Sequence, residues 1–227
     1  MKNIKVIFFD LFFTLISPRY SDGKNENDAL GLTIREWEHY AENDDLYKRR
    51  ATGQVISAEK IIDEIVSSID INISEEQKKE VLLLRQSRMQ KALTNVDNQI
   101  INTIKKIKQK GIRICLISNA DVIDTMFWRD SPLYELFDDA VFSYEAKCLK
   151  PDRYIYNMAI QKMNVNAKDC FFVGDGGSNE LYGAKQVGMS TVFTEYLEKK
   201  SEDKKKEILE YADFHITEFE ELIRLCE

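Results

Sequence analysis

Proline and glycine are scarce in this chain, with three and nine among 227 residues. That excludes collagen-like and Pro/Gly-rich disordered classes, and it makes the few glycine positions informative. Histidine is rarer still. His39 and His215 stand alone, far from any motif, so neither is given a catalytic role. The four cysteines, Cys115, Cys148, Cys170 and Cys226, form no CxxC pair and no metal-ligand spacing. Cys115 and Cys170 fall inside apolar runs and read as small core residues, which fits a reducing cytoplasm. No stretch approaches the ~18 apolar residues needed to span a bilayer. The opening MKNIKVIFFD ends its short apolar run in Asp with no small-residue cleavage site, and so reads as a buried strand rather than a signal peptide. Positive charge is not in excess: 32 Lys and Arg stand against 39 acids, a net charge of −7. No basic footprint for nucleic acid is expected, although one local pocket can still be positive and bind an anion.

What is present is a regular alternation. Six short β-branched or aromatic runs, Lys5 to Phe9, Arg113 to Ile117, Ala140 to Ser143, Cys170 to Val173, Ser190 to Thr194 and Asp213 to Ile216, are separated by helical patterns. Several are apolar throughout, as strands buried on both faces must be. Between the first two, Gln99 to Lys110 carries Ile100, Ile101, Ile104 and Ile107 on one face and stops at Gly111. After Lys150, Tyr154, Ile155 and Met158 mark the expected buried side of another helix. This alternation predicts an α/β fold with a Rossmann-like, doubly wound, mostly parallel sheet. The alternation breaks once. Residues 17–95 hold no strand pattern; TIRE (33–36) and SEEQ (74–77) are capping boxes, and Ile62, Ile65, Val66 and Ile69 form an apolar helix face. A core of 1–16 and 96–227 with an all-helical domain, 17–95, inserted after the first strand is therefore expected, the insert serving as a lid.

Ligands of an open parallel sheet bind beyond the carboxyl ends of its strands. The residues that follow successive runs are Asp10, then Ser118-Asn119, then Lys150-Pro151, then Gly174-Asp175. Singly, each has an ordinary explanation: a cap, a turn, a surface charge, a glycine loop. In this order, each directly after a strand, they converge on one pocket.

The set resembles the haloacid dehalogenase superfamily with its helical, first-class cap, and the likeness spans nearly the whole chain. FFDLFFTL matches the first family motif at Asp10 and Thr14, ICLISN the second at Ser118, CLKP the third at Lys150, and GDGGSNE the fourth at Asp175 and Glu180. The resemblance implies a hydrolase in which Asp10 is the covalent nucleophile. Ser118, Asn119 and Lys150 would bind the substrate's phosphoryl oxygens, Lys150 also holding Asp10 ionised. Thr14 would support the turn after Asp10. Mg²⁺ would be held by the carboxylates of Asp10 and Asp175 and the carbonyl of Phe12, with Asn179 and Glu180 behind them.

Two departures shape the expected activity. Position 12 is Phe where family phosphatases carry the Asp that protonates the leaving alcohol, a group that contributes roughly 10²–10⁴-fold in rate. Phe13 stands where Gly is common. An aromatic residue at position 12 resembles the metal-independent 2-haloacid dehalogenases, whereas Asp175 belongs with the metal-dependent phosphatases. The reading is thus a phosphohydrolase acting on a small phosphorylated or otherwise anionic metabolite. A metal-independent dehalogenase and a catalytically impaired binding or regulatory protein are the alternatives. Within the insert, Arg19, Tyr20, Arg35, Arg49 and Arg50 could face an anionic substrate but read first as a solvated helix face, and Trp37 and Tyr40 read as core. Outside it, Lys199 to Lys206 reads as a solvated loop. Oligomeric state is open.

Overall fold

The computed structural model describes residues 4–227. Six strands, β1 (Val6–Phe9), β2 (Arg113–Ser118), β3 (Asp139–Phe142), β4 (Cys170–Gly174), β5 (Ser190–Thr194) and β6 (Phe214–Ile216), make one sheet of order β3-β2-β1-β4-β5-β6. Every pairing is parallel. The α/β, Rossmann-like expectation therefore holds.

The apolar runs explain the placement. Within β1 and β2, Ile7, Phe9, Ile114 and Leu116 pack into one hydrophobic cluster, while Val6, Phe8, Cys115 and Ile117 pack into another. Alternate residues point to opposite sheet faces, so both faces are sealed and the strands must be apolar at every position. Helix α6 (Asn98–Gln109) covers the first face with Ile100, Thr103, Ile104 and Ile107. Helices α9 (Arg153–Lys162) and α10 (Glu180–Gln186) cover the second. The buried side of α9 is Ile155, Tyr156 and Ala159; Tyr154, expected to be buried, is 59% exposed. Asp152 caps the helix, which begins at Arg153, and this phase turns residue 154 outward while residue 156 is buried.

The chain leaves β1 at the centre of the sheet, builds β2 and β3 on one side, and crosses to β4 on the other. The switch point therefore lies between the tips of β1 and β4, where Asp10 N donates to Val173 O at 2.9 Å.

Between β1 and β2 the described residues form helices before α6: α1 (Glu26–Leu30), α2 (Ile34–Ala41), α3 (Asp44–Ala51), α4 (Ala58–Ser67) and α5 (Glu75–Thr94). Both capping boxes are formed, Thr33 with Glu36 and Ser74 with Gln77. Trp37, Ile61, Ile62, Ile65, Val66 and Val81 make a third apolar cluster, which Ile123 of α7 (Val122–Thr125) enters from the sheet side. No helix among the described residues is long and apolar enough to cross a membrane.

Candidate active site

Asp10 follows β1 and is 5% exposed. The chain then turns tightly: Phe13 N donates to Ile16 O at 2.7 Å, and Phe12 and Ile16 form a single parallel bridge. Phe13 takes φ 57°, a region that glycine enters freely and a bulky residue does not, so the turn is strained. Thr14 is fully buried, and its hydroxyl donates to Asp10 Oδ2 at 3.2 Å, fixing the carboxylate's orientation.

Lys150 reaches the same carboxylate from the loop after β3. Its Nζ donates to Asp10 Oδ1 at 2.5 Å and also bonds Glu180 Oε2. Asn119 sets the lysine's backbone: its Oδ1 accepts from Lys150 N at 2.7 Å, and its Nδ2 donates to Lys150 O at 3.2 Å. Glu180, at the start of α10, is 1% exposed and lies across Gly174. A Cβ at residue 174 would strike Glu180 Oε1, so glycine there lets a buried carboxylate approach the strand backbone. Asp175 follows β4, with its Oδ1 taking Gly177 N at 3.0 Å.

Asp10, Asp175 and Glu180 each offer a carboxylate oxygen, and these atoms lie within 4.8 Å of one another. Three buried acids at this spacing repel, and two of them, Glu180 and Asp10, are shifted upward. Burial first, and then Asp10's charge, push Glu180 well above the ordinary carboxylate range. Asp10 is also raised by burial, against the pull of Lys150. Burial disfavours the Lys150 ammonium, but Asp10 and Glu180 outweigh it and its pKa is raised. A cluster of oxygen-only, carboxylate-rich donors suits a hard divalent cation.

Not every residue singled out by sequence arrives here. Ser118 ends β2 and is fully buried; its hydroxyl donates to Asn119 O at 3.4 Å, and it does not line the cavity above Asp10. Asn179 is exposed and lines a separate depression with Tyr182 and Tyr211. Phe12 does line the cavity.

Four groups that the sequence left on the surface are brought in: Arg19, Tyr20 and Arg50 line the cavity, and Lys200 reaches Asp175. Lys200, read as part of a solvated stretch, bonds Asp175 Oδ2 at 2.5 Å. Arg50, read as part of a solvated helix face, is 2% exposed, as is Arg85 of α5. Arg50 Nε donates to Asp121 Oδ2 at 2.9 Å, and Arg85 Nη2 to the same oxygen at 3.2 Å and to Asp124 Oδ1 at 3.0 Å. A signal for Arg85 existed: it interrupts the apolar stripe of Val81, Met89 and Leu93 on α5. A long cation placed in such a stripe needs a buried anionic partner. Asp10, Lys150, Asp175, Glu180, Arg50 and Arg85 line one cavity of about 520 Å³, within the range of small-molecule sites.

The sequence model of haloacid dehalogenase-like hydrolases matches residues 4–188. Glyceraldehyde 3-phosphate phosphatase of Pyrococcus furiosus is 31% identical over 128 residues, covering 55% of this chain and 52% of its own. Its namesake in Methanocaldococcus jannaschii is 27% identical over 126 residues, covering 54% and 53%. The chain thus spans about half the length of the curated relatives it matches. Among solved structures, a 2-haloacid dehalogenase from Pseudomonas syringae superposes with TM-score 0.67 at 19% identity, covering 98% of this chain and 97% of its own. A haloacid dehalogenase family enzyme from Bacteroides thetaiotaomicron, crystallised with magnesium and inorganic phosphate, gives 0.64 at 19%, covering 84% and 94%. At these identities the structural likeness concerns the fold.

Proposed function

The chain belongs to the haloacid dehalogenase-like hydrolases, and from that premise we propose that it hydrolyses a small phosphate monoester or acyl phosphate through a covalent intermediate on Asp10. The observation that carries this reading is the trio of buried carboxylates, Asp10, Asp175 and Glu180, within 4.8 Å at the floor of the cavity, with Lys150 bonded between two of them.

In the proposed reaction an Asp10 carboxylate oxygen attacks phosphorus, the P–O bond to the leaving group breaks, and an aspartyl phosphate remains. Water then attacks that phosphorus, releasing inorganic phosphate and regenerating the carboxylate. Lys150 offsets charge on the transferring oxygens and keeps Asp10 ionised. Thr14 holds the nucleophile's orientation. Asp10 and Asp175, with the Phe12 carbonyl, would hold Mg²⁺, and Glu180 would support them from behind. Bound there, the cation would neutralise the approach of an anionic substrate to an anionic nucleophile. Asn119 acts through Lys150, whose backbone it fixes. Ser118 would reach a phosphoryl oxygen only after a shift of the β2 tip. The helical segment 17–95 serves as the lid that excludes water and sets substrate choice.

Phe12 carries no proton to donate, so the leaving group must depart without help. Activated esters and acyl phosphates are therefore better substrates than alkyl phosphates. The named substrate of the phosphatase relatives, glyceraldehyde 3-phosphate, belongs in the panel. A second reading rests on Phe12 itself: halide leaves without a proton, as metal-independent dehalogenation requires. The Asp175 carboxylate speaks against it, because an added buried anion beside the nucleophile hinders attack unless a cation offsets it.

The deciding experiment runs p-nitrophenyl phosphate, acetyl phosphate, glyceraldehyde 3-phosphate and 2-chloropropionate on the wild type and Asp10→Asn, with Mg²⁺ and with EDTA. Phosphate release that needs Mg²⁺ and Asp10 supports the phosphohydrolase. Halide release indifferent to EDTA selects the dehalogenase, and neither release selects a binding protein.

A further inference from the structure

Four arginines line the cavity over Asp10, and they are not equivalent. Arg19 is exposed and donates from Nη2 to Leu197 O at 2.9 Å. Arg88 is fully engaged: Nε and Nη2 bond Glu26 Oε1 at 2.9 and 2.8 Å, Nη1 donates to Pro18 O at 2.8 Å, and the guanidinium rests 4.6 Å from the Tyr20 ring centroid. This is a structural arginine with every nitrogen used.

Arg50 and Arg85 differ. Both are 2% exposed, and three of their nitrogens, Arg50 Nη1, Arg85 Nε and Arg85 Nη1, have no hydrogen-bond partner. The acids beside them bond other groups. Asp121 Oδ2 already serves both guanidinium groups, while Asp121 Oδ1 caps α7 by accepting Ile123 N at 2.8 Å and Asp124 N at 3.1 Å. Asp124 Oδ2 accepts Asp121 N at 3.0 Å, and Glu42 is already bonded to Arg50 Nη2 at 2.9 Å. A network built only to fasten helices α3 and α5 to α7 would close on itself, as Arg88's does. This one leaves permanently charged donors buried and unpaired on two side chains that line the reaction cavity.

We propose that Arg50 and Arg85 form a second anion subsite of the Asp10 cavity, so that the preferred substrate is a small phosphate monoester bearing a carboxylate. Each unpaired N–H can donate one charge-assisted hydrogen bond to a carboxylate oxygen. A carboxylate suits the wall better than a second phosphate, because Asp121 and Asp124 already bring negative charge there and one further charge is easier to accommodate than two. The proposal rests on the phosphohydrolase reading for the reaction, and on its own geometry for the subsite.

The test compares two esters that differ only in this group, 3-phosphoglycerate and glycerol 3-phosphate, with Mg²⁺ present. Wild-type kcat/KM is expected to favour 3-phosphoglycerate at least tenfold, and that ratio falls toward one in both Arg50→Gln and Arg85→Gln. In parallel, calorimetric titration of Asp10→Asn measures binding without turnover, with the same tenfold preference expected. A ratio near one in wild type, with equal affinities in Asp10→Asn, overturns the subsite while leaving the phosphohydrolase intact. If neither ester turns over but Asp10→Asn still prefers 3-phosphoglycerate, the subsite stands, and the phosphohydrolase reading fails only when acetyl phosphate with Mg²⁺ also releases no phosphate. Should either arginine variant melt early, the wild-type and Asp10→Asn comparisons decide alone.

Discussion

Lys200 Nζ lies 2.5 Å from Asp175 Oδ2 and 2.6 Å from Glu198 Oε2, with its side chain only 15% exposed. An ammonium thus stands against one of the two carboxylates that would hold a divalent ion. Burial alone would ease the proton off this lysine, but Asp175 and Glu198 raise its pKa, so it stays charged. A cation entering beside Asp175 must share that carboxylate with Lys200 or displace it.

Replacing Lys200 by Met removes this competition. Half-saturation by Mg²⁺, followed by titration calorimetry and by the metal dependence of turnover, should move to concentrations about threefold to tenfold lower. Asp175→Asn should abolish the binding heat. Unchanged or weaker Mg²⁺ binding in Lys200→Met would show that the lysine does not compete.

Phe12 lines the cavity beside Asp10. Asp at this position supplies the missing proton donor, and turnover of glycerol 3-phosphate should rise by roughly 10²-fold. Acetyl phosphate, whose leaving group needs no proton, should change little. Parallel gains on both substrates would mean that the substitution acts through something other than proton transfer.

Glu180 fixes the sign of a pH effect. Burial first, then Asp10, raise its folded-state pKa well above the ordinary value. The folded protein therefore binds more protons than the unfolded chain between those two values, and stability declines as pH climbs through that window. Metal-free protein should lose melting temperature from ~pH 4.3 upward. Glu180→Gln should flatten part of the decline, and Mg²⁺ should offset it. A melting temperature that rises across the same window in metal-free protein is incompatible with this account.

Asp121 is fully buried and accepts from Arg50, Arg85 and two backbone N–H groups of α7. Asp121→Ala leaves two buried guanidinium groups short of their shared partner, a loss of about 3–5 kcal/mol. Thermal unfolding should fall by on the order of 10 °C. Glu36→Ala, an exposed capping change, is the control and should shift it far less.

Several features were legible along the chain because they depend on local pattern. Strands sealed on both faces must be apolar at every position, so VIFF and CFFVG announce themselves. Capping boxes at 33–36 and 74–77 form within one turn and need nothing from elsewhere. In a parallel sheet, the segments that leave the strand tips fall at the same edge, which is why Asp10 and Asp175, directly after β1 and β4, and Lys150, in the connection that leaves β3, could be listed as neighbours from order alone.

Tertiary structure decided what depends on reach. Ser118 sits at the right edge yet outside the cavity, because the end of β2 is buried beneath Asn119. Lys200 and Arg50 have sequence surroundings typical of solvated charge, and long flexible side chains let each cross to an acid far away in the chain, 25 residues to Asp175 and 71 to Asp121. Local sequence records which residues are charged. Which charges meet is settled by the packing of helices against the sheet, since a buried ion is tolerated only where folding delivers its partner.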